Sequence, residues 1–119
     1  MLSTLTDLEL VNEIRIGNVA AFRTFYYRHV DNIFGMVTRL MGPYRNDRED
    51  VVQEIFFQVS KSIPNFREQS GVSTWLHRIA CNVTYSALRR PHYRKEADSD
   101  FKQVLHDVEG RIDARRTIN

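Results

Sequence analysis

Apolar residues along this chain recur at intervals of three and four, with no sustained alternation of period two. A helix turns once in 3.6 residues, so that spacing predicts helices and no sheet. Four segments stand out. The first begins at Thr6, with Glu9 three residues on in a capping-box pattern, and should stop at Gly17. The second has Asn18 as N-cap and ends at Gly42-Pro43, with a core stripe of Phe22, Tyr26, Val30, Ile33, Val37 and Leu40. The third opens near Asn46 or Asp47, stops before Pro64, and turns Val52, Ile55, Phe56, Val59 and Ile63 inward. The fourth opens between Ser70 and Ser73 and runs to Arg90, where Pro91 ends it. Its inner stripe is Val72, Leu76, Ile79, Ala80, Val83 and Ala87. The expected fold is all-α, a compact bundle of about four helices. Residues 92–119 change character: they are polar and charge-dense, with thinly spread apolar positions, and read as a linker or tail.

Composition supports a single folded domain. The 119 residues are 42% hydrophobic and 27% charged, which suits a soluble globule and not a disordered chain. Five Gly and three Pro are few, as long helices require. The lone Cys81 excludes an internal disulfide and Cys-rich zinc frameworks, and the reducing cytoplasm is the natural compartment. The start of the chain carries Asp7 and Glu9 and lacks the pattern of a signal peptide. No apolar run approaches the roughly 18 residues of a membrane span, so no membrane insertion is expected.

Charge changes the picture more. Residues 1–60 carry six Lys/Arg against eight Asp/Glu, whereas residues 61–95 carry seven against Glu68 alone. A weakly acidic half joined to a basic half suggests two different partners. Placed on a helical wheel, Asp47, Asp50, Glu54 and Gln58 of the third segment line the side opposite its core stripe, flanked by Glu49 and Gln53. Two readings fit: a solvated face with acids favouring the helix N-terminus, or an acidic docking surface for a basic partner. On the fourth segment Arg78, Asn82, Tyr85 and Arg89 form a narrow stripe, which Thr74 extends. Cation, amide and aromatic on one side are the chemistries that pair phosphates, read base edges and stack on bases. A solvated face is again the plainer alternative. Arg90, His92, Arg94 and Lys95 continue the positive charge. The loop 64–73 is rich in small hydrogen-bonding residues and leads into a helix N-terminus. Phe66 either stacks on a base or, as such residues more often do, tucks into the core beneath the loop, and Trp75, at the border of the core stripe, should be mostly structural.

Enzyme chemistry finds little support. His77 and Cys81 share a helical face, but two ligands do not make a metal site. No Gly-rich phosphate loop and no nucleophile motif is present. Neither catalytic residues nor a cofactor is expected.

The residues Asp47-Arg48-Glu49-Asp50-Val51-Val52-Gln53-Glu54-Ile55-Phe56 resemble the Asp-x-Glu-Asp-hydrophobic-Val-Gln-Glu-x-Phe stretch of sigma-70 region 2. The resemblance is closest to the extracytoplasmic function (ECF) sigma factors. Phe66-Arg67, the run Ser73 to Asn82, and Leu88-Arg89-Arg90 match the family's second signature in order and spacing. The stretch Asp7 to Phe22, with Gly17 before Ala21-Phe22, also fits, so the resemblance covers residues 6 to about 95.

This resemblance implies a region 2 domain over 1–95, a linker over 96–119, and no domain reading the −35 element. It assigns Asp47, Asp50, Gln53 and Glu54 to the β′ coiled coil of core RNA polymerase. It assigns Arg67, Ser70, Ser73, Trp75, Arg78, Asn82, Tyr85, Arg89 and Arg90 to the single-stranded non-template DNA of the promoter −10 element, with Asn82 foremost. An anti-sigma factor is a further expected partner. Ser86 stands where the family often has Asp, and Ser60 where it often has Trp. The main alternative is a sigma-like interaction module that binds an anti-sigma or another regulatory protein. A duplex-reading helix-turn-helix fits poorly, because the loop before Trp75 is too long for its tight turn.

Overall fold

Thr6 opens the first helix with both halves of the expected capping box. In a computed structural model, which describes residues 1–90, its hydroxyl accepts the Glu9 N–H at 3.1 Å. In return Glu9 Oε1 accepts the Thr6 N–H at 2.8 Å. The Thr6 backbone N–H, and after it the Thr6 hydroxyl, favours the ionised Glu9 carboxylate and holds its pKa below the ordinary 4.5. Helix α1 spans Asp7–Arg15. Gly17 then takes a φ of +95°, a value that costs a side chain-bearing residue but not glycine.

Asn18 restarts the chain as a helix by accepting the Ala21 N–H at 3.2 Å, and α2 runs over Val19–Met41. It stops at Gly42, whose φ of 95° and ψ of 151° answer two demands at once. The helix exit turns φ positive, and the following Pro43 pushes ψ into the extended range. Only glycine meets both without strain. Helix α3 covers Arg48–Ser62, a 3-10 turn follows at Ile63–Asn65, and α4 covers Val72–Arg89. The boundaries agree with the sequence reading to within a residue or two. A short 3-10 turn at Leu2–Thr4, not foreseen from the sequence, packs against α2. The predicted linker over 96–119, and the basic residues His92, Arg94 and Lys95 before it, lie outside the described residues.

Helix α2 is the spine, in contact with α1, α3 and α4, and α3 lies against α4. The centre joins Leu10 and Val11 of α1, Phe25, Ile33 and Val37 of α2, Ile55 and Val59 of α3, and Leu76 and Ala80 of α4, all essentially inaccessible. Each large side chain there contributes about 1.5–3 kcal/mol by leaving water. Two stripes needed correction. On α2 the buried set is Ala21, Phe22, Phe25, Ile33, Val37 and Met41, while Tyr26, Val30 and Leu40 are only half-buried. A spine packed on three sides buries more than one line of residues. On α4, Ile79 and Val83 are half-buried and Thr84 is fully buried. The Thr84 hydroxyl donates to the Ala80 carbonyl at 2.7 Å, which offsets the cost of removing it from water.

Candidate nucleic-acid interface

Burying one side of α4 leaves a definite set of side chains outside. Thr74, Arg78, Asn82, Tyr85 and Arg89 are all exposed and follow one another along one side of the helix, as the wheel predicted, and Ser73 at its start is exposed on another side. Tyr85 keeps 47% of its surface in solvent. Arg89 makes one long contact, 3.4 Å to the Ser86 hydroxyl, so its charge stays available. The stripe thus offers two guanidinium forks, an amide and an aromatic face along one side of a rigid helix.

The segment leading into α4 is anchored at one end. Phe66 is buried, its ring 4.8 Å from that of Trp75, and the Trp75 indole is half-buried by the contact. Trp75 thus packs against the start of the loop from the border of the core. Arg15 of α1 donates to the Phe66 carbonyl at 2.9 Å. Beyond it Arg67 is exposed and Ser70 half-buried. Gly71 occupies the N-cap of α4 and supplies no side-chain cap. Ser73 does not cap either; its hydroxyl lies 3.5 Å from His77 Nδ1. His77 therefore faces Ser73, and among the described residues no three His, Cys, Asp or Glu side chains cluster as a metal site.

The acidic face of α3 is less open than the wheel suggested. Asp47, Asp50, Gln53, Glu54 and Gln58 are all half-buried, because α2 and α4 flank the helix. Asp47 holds the N-cap position, but its carboxylate receives the forked guanidinium of Arg45 at 2.9 and 3.0 Å and caps nothing. Arg48 ties the same corner together. It donates to the Arg45 carbonyl at 2.8 Å and to Thr38 on α2 at 3.0 Å, and lies 5.1 Å from the Phe34 ring centre. Tyr44 stands out on the connection into this corner, 97% exposed. The sequence reading passed over Tyr44, although an aromatic after Gly42-Pro43 has no core to enter.

Glu54 and Arg90 correct the picture of two separate surfaces. The Glu54 side chain is 17% exposed and accepts Arg90 Nη2 at 2.5 Å. One residue expected on the acidic face and one expected on the basic face are thus paired across the α3–α4 junction. Arg90 is the C-cap of α4, where the chain leaves the helix, and its guanidinium turns away from the exposed stripe.

Comparison with known proteins places these features in a family. Residues 25–94 match sigma-70 region 2. The chain is 40% identical to an ECF RNA polymerase sigma-E factor of Haemophilus influenzae, over 76% of this chain and 49% of that protein. It is 35% identical to the ECF RNA polymerase sigma-E factor of Escherichia coli K12 and 33% identical to an RNA polymerase sigma-H factor of Pseudomonas aeruginosa, with the same coverage. The chain spans about half the length of these relatives. No helix among the described residues is long and apolar enough to cross a membrane. The all-α bundle, the two signature faces and these matches agree, and the chain belongs to the sigma-70 region 2 family, in the company of the ECF sigma factors.

Proposed function

We propose that this chain docks on core RNA polymerase through α3 and captures the −10 element of a promoter as single-stranded non-template DNA through α4 and the loop before it. The observation that carries the reading is the exposed Arg78, Asn82, Tyr85 and Arg89 stripe beside a loop with its own exposed cation, Arg67. Core packing does not account for any of them. In this reading the chain performs no bond chemistry and uses binding energy to open the duplex. Unpairing and unstacking a base cost a few kcal/mol. Stacking on an aromatic returns about 1–3 kcal/mol per base, and guanidinium–phosphate pairs add affinity that falls with salt. Arg78, Arg89 and Arg67 would hold phosphates, Tyr85 would stack, and Asn82 would read a base edge. Ser70 and Ser73 would line the pocket for an extruded base, with Trp75 supporting its wall. Arg90 has a different role in this reading, as the link between the two faces.

Asp50 and Gln53, with Asp47 and Glu54 beside them, present the acidic ground for a basic helical partner such as the β′ coiled coil. An anti-sigma protein that covered both faces would need basic side chains against α3 and acidic ones against α4. Work at a promoter places the chain in the cytoplasm.

The test measures binding of the chain to the isolated β′ coiled coil and, separately, to labelled single-stranded and duplex −10 DNA. Single strand should bind more tightly than duplex. Asp50→Lys should lose the coiled coil and keep DNA. Arg78→Ala and Arg89→Ala should keep the coiled coil, and each should weaken DNA and lower the salt slope by about 0.7. Preference for duplex, or indifference to all three changes, refutes the assignment.

A further inference from the structure

The loop that would meet the extruded strand has little structure of its own. Its N-terminal end is fixed by three attachments, all at Phe66. The ring is buried against Trp75, and the N–H donates to the Ile63 carbonyl at 3.1 Å. The carbonyl accepts Arg15 Nη2 at 2.9 Å. From Arg67 to Ser70 no side-chain hydrogen bond holds the chain among the described residues. The direction in which Arg67 and Ser70 leave Phe66 therefore depends on the orientation of the Phe66 peptide. Packing of the ring leaves rotation of that peptide open, and the bond from Arg15 restricts it.

Arg15 is well prepared for this task. Its other terminal nitrogen, Nη1, donates to Asn12 Oδ1 one turn earlier at 3.2 Å. The guanidinium is thus held as a fork between its own helix and the loop, in the last turn of α1 where a cation also suits the helix dipole. The contact joins residues 51 positions apart and is part-buried. It comes from α1, which lies outside the stretch 25–94 that matches region 2.

We propose that Arg15 is a positioning residue for strand capture: by holding the Phe66 carbonyl it sets where the loop presents Arg67 and Ser70 to single-stranded DNA. The inference rests on the strand-capture reading above. It makes α1 part of the DNA-binding apparatus without touching DNA.

Arg15→Lys and Arg15→Ala separate positioning from a direct phosphate contact. Lysine keeps the charge in the last turn of α1 but cannot form the fork. Each variant is measured for binding to a fluorescein-labelled single-stranded DNA pool across a salt series. Emission of Trp75, the single tryptophan of the chain, reports the Phe66 contact in the same samples, and far-UV circular dichroism checks that the helices are retained. Losing a charge-assisted hydrogen bond should weaken DNA binding roughly tenfold in both variants. The salt slope should stay unchanged, and Trp75 emission should move to the red. Wild-type affinity in Arg15→Lys overturns the proposal. So does a slope lowered by about 0.7 with Trp75 emission unmoved, which marks a direct phosphate contact. A wild-type chain that ignores the DNA pool overturns the strand-capture reading and the role with it, while Trp75 emission still shows separately whether Arg15 holds the loop.

Discussion

The Glu54–Arg90 pair sets a measurable coupling between α3 and the end of α4. Consider Glu54→Gln, Arg90→Gln and the double variant as a thermodynamic cycle, with each protein unfolded by heat and by urea. Fully exposed ion pairs couple by about 0.2–1 kcal/mol, because water and side-chain entropy absorb most of the attraction. This pair is better placed. The contact is 2.5 Å, and the two side chains are 17% and 35% exposed. A hydrogen bond to a charged group is worth about 1.5–3 kcal/mol, and partial desolvation of both ions takes back part of that. The expected coupling is therefore about 1–1.5 kcal/mol. For a domain of this size 1 kcal/mol moves the melting midpoint by about 4–8 °C, so the effect is well within reach of a thermal melt. A coupling below about 0.3 kcal/mol would refute the reasoning and reduce the pair to a rim contact. The same geometry guides the choice of docking variants. Glu54→Lys would set a second cation beside Arg90 and strain the α3–α4 junction, so loss of polymerase binding in that variant would mix two causes. Asp50→Lys avoids that clash with Arg90.

Two further outcomes test local structure. Gly42→Ala should cost about 1–3 kcal/mol in urea unfolding, because φ at that position is positive and Pro43 keeps ψ extended; an unchanged midpoint would show that the α2 exit can rearrange freely. Glu9→Gln should lower the melting temperature at neutral pH. The folded Glu9 pKa lies below 4.5, so its contribution is present above that value and is lost as pH falls through the folded pKa. The difference between the two proteins should close in acid, and one that persisted there would disprove that the Glu9 charge strengthens the cap.

Much of the fold could be read because its punctuation is local. Thr6 with Glu9, Gly17, Asn18 and Gly42-Pro43 each act within a few residues, and each falls where the sequence placed it. Burial was read less well where one stripe was assumed. Phe25 lies beside the predicted line through Tyr26 and is fully buried because α2 serves three neighbours. Thr84 was invisible to a hydrophobic pattern, since its own helix satisfies the hydroxyl. The exposed stripe of α4 follows directly from helical geometry. Its assignment to DNA, like that of α3 to polymerase, came from the signatures and not from periodicity. Glu54–Arg90 and Arg15–Phe66 span 36 and 51 positions, and no local rule pairs residues so far apart.

The order in which the helices pack also has a consequence for how the chain acquires its shape. Helix α2 meets α1, α3 meets α2, and α4 meets α3 before closing back on α2. Contacts between consecutive elements keep the entropy of loop closure small, which favours folding within milliseconds or faster. Synthesis delivers the elements in the same order. The hairpin of α1 and α2 can form first, α3 can dock on it, and α4 completes the bundle by burying Leu76, Ala80 and Thr84. Glu54 meets its cation only with the last residue of that final step, so the acidic helix is assembled with this carboxylate still awaiting Arg90.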